Sequence, residues 1–147
     1  LVSNYAAGTE PAWYLLDDSR TIKPVIFQER TKPELTALTD TRDEAVFMKD
    51  EYRFGVRYRC NAGFAFWQMA FCSCLPLNSD NFNAAYGAMA SYKADGGRPL
   101  GIRPTLLVVP PTLRVKAHEV VLSDRLANGG DNPNKGLCEL LVTPWLA

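Results

Sequence analysis

GRPLGIRPTLLVVPP, residues 97–111, is the most strongly patterned stretch of the chain, and the elements after it are read relative to it. Pro104 and Pro110 bracket Thr105-Leu106-Leu107-Val108-Val109, an apolar run rich in β-branched residues and without alternation. Such a run reads as a strand buried on both faces. Pro111 then stands where a helix begins, because proline's fixed φ and missing N–H are tolerated at the first helical position. Behind it Leu113, Ala117, Val120 and Val121 fall on one helical face, with Asn128-Gly129-Gly130 as the expected stop. Leu137 to Val142 reads as a second buried strand, closed by Pro144. Strand, helix, strand predicts a crossover that is right-handed if the two strands are parallel neighbours.

Working back from this stretch, Asn78-Ser79-Asp80 offers helix N-caps, and Phe82, Ala85, Tyr86 and Met89 recur at helical spacing before Gly96-Gly97. Glu51 to Cys60 alternates, with Tyr52, Phe54, Val56, Tyr58 and Cys60 on one face and Glu51, Arg53, Arg57 and Arg59 on the other. This predicts a half-buried strand. Asn61-Ala62-Gly63 accepts positive φ, so Phe64 to Cys72 is expected to return as the partner in a long antiparallel hairpin. Trp13 to Leu16 and Val25 to Phe27 read as short strands, with Leu35 to Leu38 as a candidate third, and most of Lys32 to Glu44 reads as loop. Residues 1–12 read as a flexible arm or linker ordered by a neighbour, and 13–147 as a single α+β domain.

The 147 residues suffice for one core, and 47% hydrophobic with 11% aromatic content excludes disorder. Sixteen basic and 16 acidic side chains leave no net field to gather nucleic acid or anionic lipid. No apolar run approaches the roughly 20 residues that span a bilayer, and no basic-then-apolar leader opens the chain. A soluble, unsecreted chain is expected, cut from a longer or processed polypeptide because it opens at Leu1. The four cysteines, Cys60, Cys72, Cys74 and Cys138, are read as reduced thiols.

A search for chemistry assigns no catalytic, cofactor-binding or metal-binding residue. His118-Glu119 starts a zinc-protease motif, but position 122 is Leu where a second His is needed, so His118 reads as a surface or structural residue. Gly129 to Gly136 resembles a phosphate loop in composition, yet it leaves a helix and enters a strand, the reverse of that geometry. Cys72 and Cys74 share a strand face without a second pair, and Asp17-Asp18 and Asp43-Glu44 read as turn and capping residues. Arg53, Arg57 and Arg59 form a basic strip, read as a solvated or subunit-pairing face, with a small ligand- or nucleic-acid-binding domain as the alternative. A small hydrolase using His118 is a third reading.

Four blocks resemble one known family: AWYLLDDSRTIKPVIFQER (residues 12–30), EAVFMKDEYRFGVRYRCNAGFAFWQMA (44–70), GGRPLGIRPTLLVVPPTL (96–113) and NPNKGLCELLVTPWL (132–146). They are similar, in order, to the Mu-like prophage major head subunit, the T protein family. The resemblance implies the coat fold of tailed phages (the HK-ninety-seven type), here an α+β chain with a mixed sheet, two main helices and a long antiparallel hairpin. It also implies a structural, non-enzymatic subunit without cofactors, self-assembling into hexamers and pentamers of an icosahedral shell. A scaffold protein would assist assembly, packaged DNA would be touched only non-specifically, and no membrane would take part. The location implied is the virion capsid, with the host cytoplasm during assembly. Family chains extend further on the N-terminal side, so a C-terminal portion is expected. Cys60, Cys72 and Cys74 stand where the family suggests small or polar residues, and Ala65 where it suggests Gly.

Overall fold

The computed structural model describes residues 3–42, 44–126 and 129–146. The chain divides into two compact units, one of residues 1–24 and 64–147 and one of residues 25–63. In chain order the strands and helices are β1 (Tyr5–Ala6), β2 (Trp13–Leu16), β3 (Val25–Leu38), α1 (Glu44–Lys49), β4 (Arg53–Phe64), β5 (Ala70–Ser73), α2 (Ser79–Ala90), β6 (Leu106–Val109), α3 (Arg114–Val121) and β7 (Glu139–Val142).

The first unit is built on a five-stranded mixed sheet in the order β1-β5-β2-β6-β7. The apolar run forms β6, an interior strand flanked by antiparallel β2 (Leu15 opposite Leu107) and parallel β7 (Leu107 opposite Leu140). The parallel pairing of β6 and β7 across α3 is the expected crossover. Strand alternation puts Trp13, Leu15, Phe71, Leu107 and Val109 on one face. There they form a single core with Phe82, Ala85 and Met89 of α2 and Ala117, Val120 and Val121 of α3. Burial of such side chains is worth roughly 1.5–3 kcal/mol each and is the main force holding the sheet to its helices.

The helix boundaries have local causes and one distant one. Asn78 caps α2 by accepting from the Asn81 N–H at 2.8 Å, as its position suggested. At the other end Ser91 donates its hydroxyl to the Ala88 carbonyl, so α2 stops before Gly96-Gly97. Those glycines instead turn the chain at φ 83° and 82°. Pro111 opens a 3-10 turn, Pro111–Leu113, that leads into α3. α3 ends at Val121, well short of the expected stop, whose Asn128 lies outside the described residues. The reason is Asn132: its buried amide donates to the carbonyls of Glu119, Val120 and Ser123 and satisfies the helix end from beyond the loop.

Residues 3–12, within the segment read as a neighbour-dependent arm, are tied to the sheet of this chain. The Cys72 N–H donates to Asn4 and the Cys74 N–H to Ala6, both at 2.9 Å, making β1 a parallel edge strand on β5. A Cβ at Gly8 would stand 2.0 Å from the Cys74 carbonyl oxygen, so only glycine allows this approach.

The second unit is a ribbon of β3 and β4 with α1 between them. The Ala65 N–H donates to the Pro24 carbonyl, just outside both strands, and the Tyr58 hydroxyl meets Glu29 further along. The start of β3 therefore faces the end of β4, and the pair is a long antiparallel hairpin. Its strands differ from the expected ones. Asn61 and Gly63 do not adopt the positive φ of a hairpin turn, so β4 runs straight through them to Phe64. Phe64 to Cys72 does not return on it: Trp67–Met69 is a 3-10 turn, and β5 joins the other sheet. Leu35 to Leu38, the candidate third strand, continues from Val25 to Phe27 in the single strand β3, and Lys32 to Glu34, read as loop, belong to it too, with Pro33 tolerated because the two-stranded ribbon has open edges. α1 was not anticipated; its Val46 is buried and Asp50 ends it at φ 53°. Nor is β4 half-buried, since every residue from Arg53 to Phe64 is exposed.

Two substitutions test the sheet core. Leu107→Ala should lower unfolding stability by about 2–5 kcal/mol through the cavity it leaves. Val108→Asp should prevent folding by setting an unpaired charge between Tyr14 and Leu141. Urea unfolding followed by the fluorescence of fully buried Trp13 reads both. A normally folded Val108→Asp chain would contradict the placement of β6.

Candidate functional site

The ribbon is the surface that sequence patterning and structure both single out. Alternation places Phe54, Val56, Tyr58 and Cys60 on one face of β4 and Arg53, Arg57 and Arg59 on the other. The Tyr58 hydroxyl is raised above its usual titration range by partial desolvation and then by hydrogen bonding with Cys60 and Glu29. Because Tyr58 meets Glu29, the odd-numbered positions of β3 share the aromatic face and the even-numbered ones share the arginine face. One side therefore carries Phe27, Leu35, Phe54, Val56 and Tyr58. The other carries Arg30, Lys32, Arg53, Arg57 and Arg59 together with Glu34.

The apolar side is bare. Phe27, Leu35, Phe54 and Val56 are 65–68% exposed, where core positions of this chain approach zero. On α1, Phe47 and Met48 are also exposed. Scattered exposed apolar residues are ordinary, whereas a contiguous strand face of them marks an interaction surface. On the basic side, Arg53 pairs with Glu51 at 3.1 Å. Lys32, Arg57 and Arg59 have no ion-pair partner among the described residues.

The other residues considered for chemistry are not drawn together. His118 is exposed on α3, and its carbonyl accepts from the Leu122 and Ser123 N–H groups. Cys72 lies in β5 and Cys74 just past its end, and their thiols lie beside the hydroxyls of Tyr14 and Tyr5 respectively. Desolvation raises the Cys72 thiol. Asp17 does more than turn the chain: fully buried, it accepts from the N–H groups of Ser19 and Arg103 and faces Arg20 at 3.7 Å. In its pair with Asp18, the latter accepts from the Thr105 hydroxyl. Asp43 lies outside the described residues, and Glu44 opens α1. The Gly129–Gly136 loop serves as the Asn132 cap already described. A cavity of about 420 Å³ beside the start of α2 mixes Lys116 and Arg125 with Glu119, and Asn78 there is occupied in capping. Among the described residues no three His, Cys, Asp or Glu side chains gather as metal ligands.

Comparison with known proteins gives a consistent picture. The family model for the Mu-like prophage major head subunit gpT matches residues 1–146. The major capsid protein of Escherichia phage Mu is 43% identical over 137 residues, covering 91% of this chain and 45% of that protein. The Mu-like prophage FluMu major head subunit of Haemophilus influenzae is 45% identical over 139 residues, covering 92% and 45%. Among solved structures, a chain of the bacteriophage JBD30 procapsid superposes with a TM-score of 0.80 at 61% identity, covering 95% of this chain and 47% of that one. A chain of the JBD30 capsid superposes with a TM-score of 0.82 at 33% identity, covering 97% and 50%. The chain thus spans about half the length of the relatives it matches.

The thiols and the lone histidine provide checks on this arrangement. In the folded chain a thiol reagent should modify exposed Cys60 first and buried Cys138 last. Burial pushes the Cys138 thiol from 9.0 to about 11. A folded-state value raised in this way means that its contribution to stability is complete below pH 9 and is lost as the pH climbs through about 11. His118→Ala should change stability by no more than about 0.5 kcal/mol, measured by thermal unfolding at neutral pH.

Proposed function

The chain belongs to the Mu-like prophage major head subunit family, and from that membership we propose that it is part of a structural subunit that assembles with copies of itself into the DNA-enclosing shell of a phage head. The observation that carries this reading is the bare apolar face of the ribbon. Within this chain Phe27, Leu35, Phe54, Val56 and Tyr58 face water, and they form a surface that neighbouring copies can cover. Heterologous contacts of that kind close into rings when repeated by rotation, which is how one surface builds a capsomer.

The finer reading is a shell of hexamers and pentamers, formed with a scaffold protein in the host cytoplasm and persisting in the virion. The role is mechanical rather than catalytic. A mixed-sheet core keeps the assembly surfaces fixed, and packaged DNA is held without sequence recognition, in keeping with equal numbers of basic and acidic side chains. The ligand- or nucleic-acid-binding reading of Arg53, Arg57 and Arg59 gains no support from relatives named as head or capsid proteins.

The test is to express the full-length polypeptide with and without scaffold and view it by electron microscopy. Shells, tubes or capsomers are expected. A protein that stays monomeric under every scaffolded condition would contradict the proposal.

A further inference from the structure

The ribbon separates its charges along its length. The paired strands, residues 25–38 and 53–64, carry Arg30, Lys32, Arg53, Arg57 and Arg59 against Glu29 and Glu34, a net +3. The connection between them, residues 39–52, carries Asp40, Asp43, Glu44, Asp50 and Glu51 against Arg42 and Lys49, a net −3. This unit of the chain is neutral as a whole yet has a basic stem and an acidic end.

Little of this charge is neutralised inside the unit. The single ion pair found there among the described residues is the exposed Arg53–Glu51 contact. Asp40, Glu44 and Asp50 are exposed, as are Lys32, Arg57 and Arg59. Alternation puts the five cations on one face together with Glu34, a strip of net +4. An exposed ion pair is worth only about 0.2–1 kcal/mol, but a strip facing an oppositely charged cluster sums several such terms and fixes orientation.

We propose that the acidic end of one copy's ribbon docks on the basic face of a second copy's ribbon stem. The occupant is a second copy of this chain because the two poles are equal and opposite, so the contact needs no further partner to balance it. It is heterologous and therefore directional: each ribbon gives its end to one neighbour and its stem to another. The inference rests on the proposed assembly and adds its polarity and its salt dependence. The stem charges then steer neighbours into register while the opposite, apolar face supplies the cohesion.

Charge exchange in the full-length polypeptide tests this. The stem variant is Arg53→Glu, Arg57→Glu and Arg59→Glu; the end variant is Asp40→Lys, Asp50→Asn and Glu51→Lys. Each alone should cut the yield of shells or capsomers by about tenfold or more, since like charges then meet. Together they should restore it to within about threefold of the unaltered protein, with the local 51–53 pair reversed as well. Assembly of the unaltered protein should slow as salt rises from 0.1 to 1 M, where the screening length falls from about 10 to about 3 Å. If a reversed variant fails to fold by circular dichroism, Arg57→Gln with Arg59→Gln replaces it and should flatten that salt dependence.

Reversal without effect, absence of rescue in the combined variant, or an unaltered salt dependence in the glutamine variant would overturn the proposal; loss without rescue is the outcome expected if the strip instead meets DNA. These results leave the assembly reading standing as long as the unaltered protein forms shells. Failure of the unaltered protein to assemble would overturn both.

Discussion

Burial of one sheet face beneath two helices is the constraint on which the larger unit depends. β6 has a partner on each edge and presents Leu107 and Val109, both fully buried, to α2 and α3. Strand pairing satisfies its backbone groups, so the strand can sit in an apolar interior without unpaired polar atoms. Buried Asp17 follows the same rule, its carboxylate receiving two backbone N–H groups beside an arginine. Asn132 applies it to the end of α3. With the sheet fixed in this way, β2 and β5, which lead to and from residues 25–63, have set positions and directions in it.

Residues 25–63 obey no such constraint of their own. Two paired strands form a marginal structure in water unless another surface covers them. Here one face is apolar and bare and the other is basic, so neither supplies a core. For a protein that works alone this would invite aggregation. In the proposed shell the same exposure would serve assembly, with neighbours covering the face. Membership of the head-subunit family and superposition on procapsid and capsid chains accord with that use.

Local signals in the sequence made some of this legible. The apolar run at residues 105–109, the cap at Asn78 and the crossover into residues 137–142 each carry their meaning within a few neighbours. Pairing partners are different. The alternation of Tyr52 to Cys60 reveals an amphipathic strand but does not name its partner, and Asn61-Ala62-Gly63 permits a turn without requiring one. The end of α3 is set by an asparagine 11 residues beyond it, which no helix-stop signal contains. The alternation likewise says that one face is apolar, and a covering element in the same chain was the natural assumption. Charge reads in the same way: zero net charge hides a stem of +3 and an end of −3 that emerge once residues 25–38 and 53–64 are known to pair.

The central claim is that residues 25–63 are completed by neighbouring copies. Hydrogen–deuterium exchange of the full-length protein, compared between unassembled subunits and purified shells, tests it most directly. Backbone amides of β3 and β4 should exchange quickly in the free subunit and be strongly protected in the shell, while those of β6 are protected in both. Ribbon amides that exchange equally fast in subunit and shell would contradict the account.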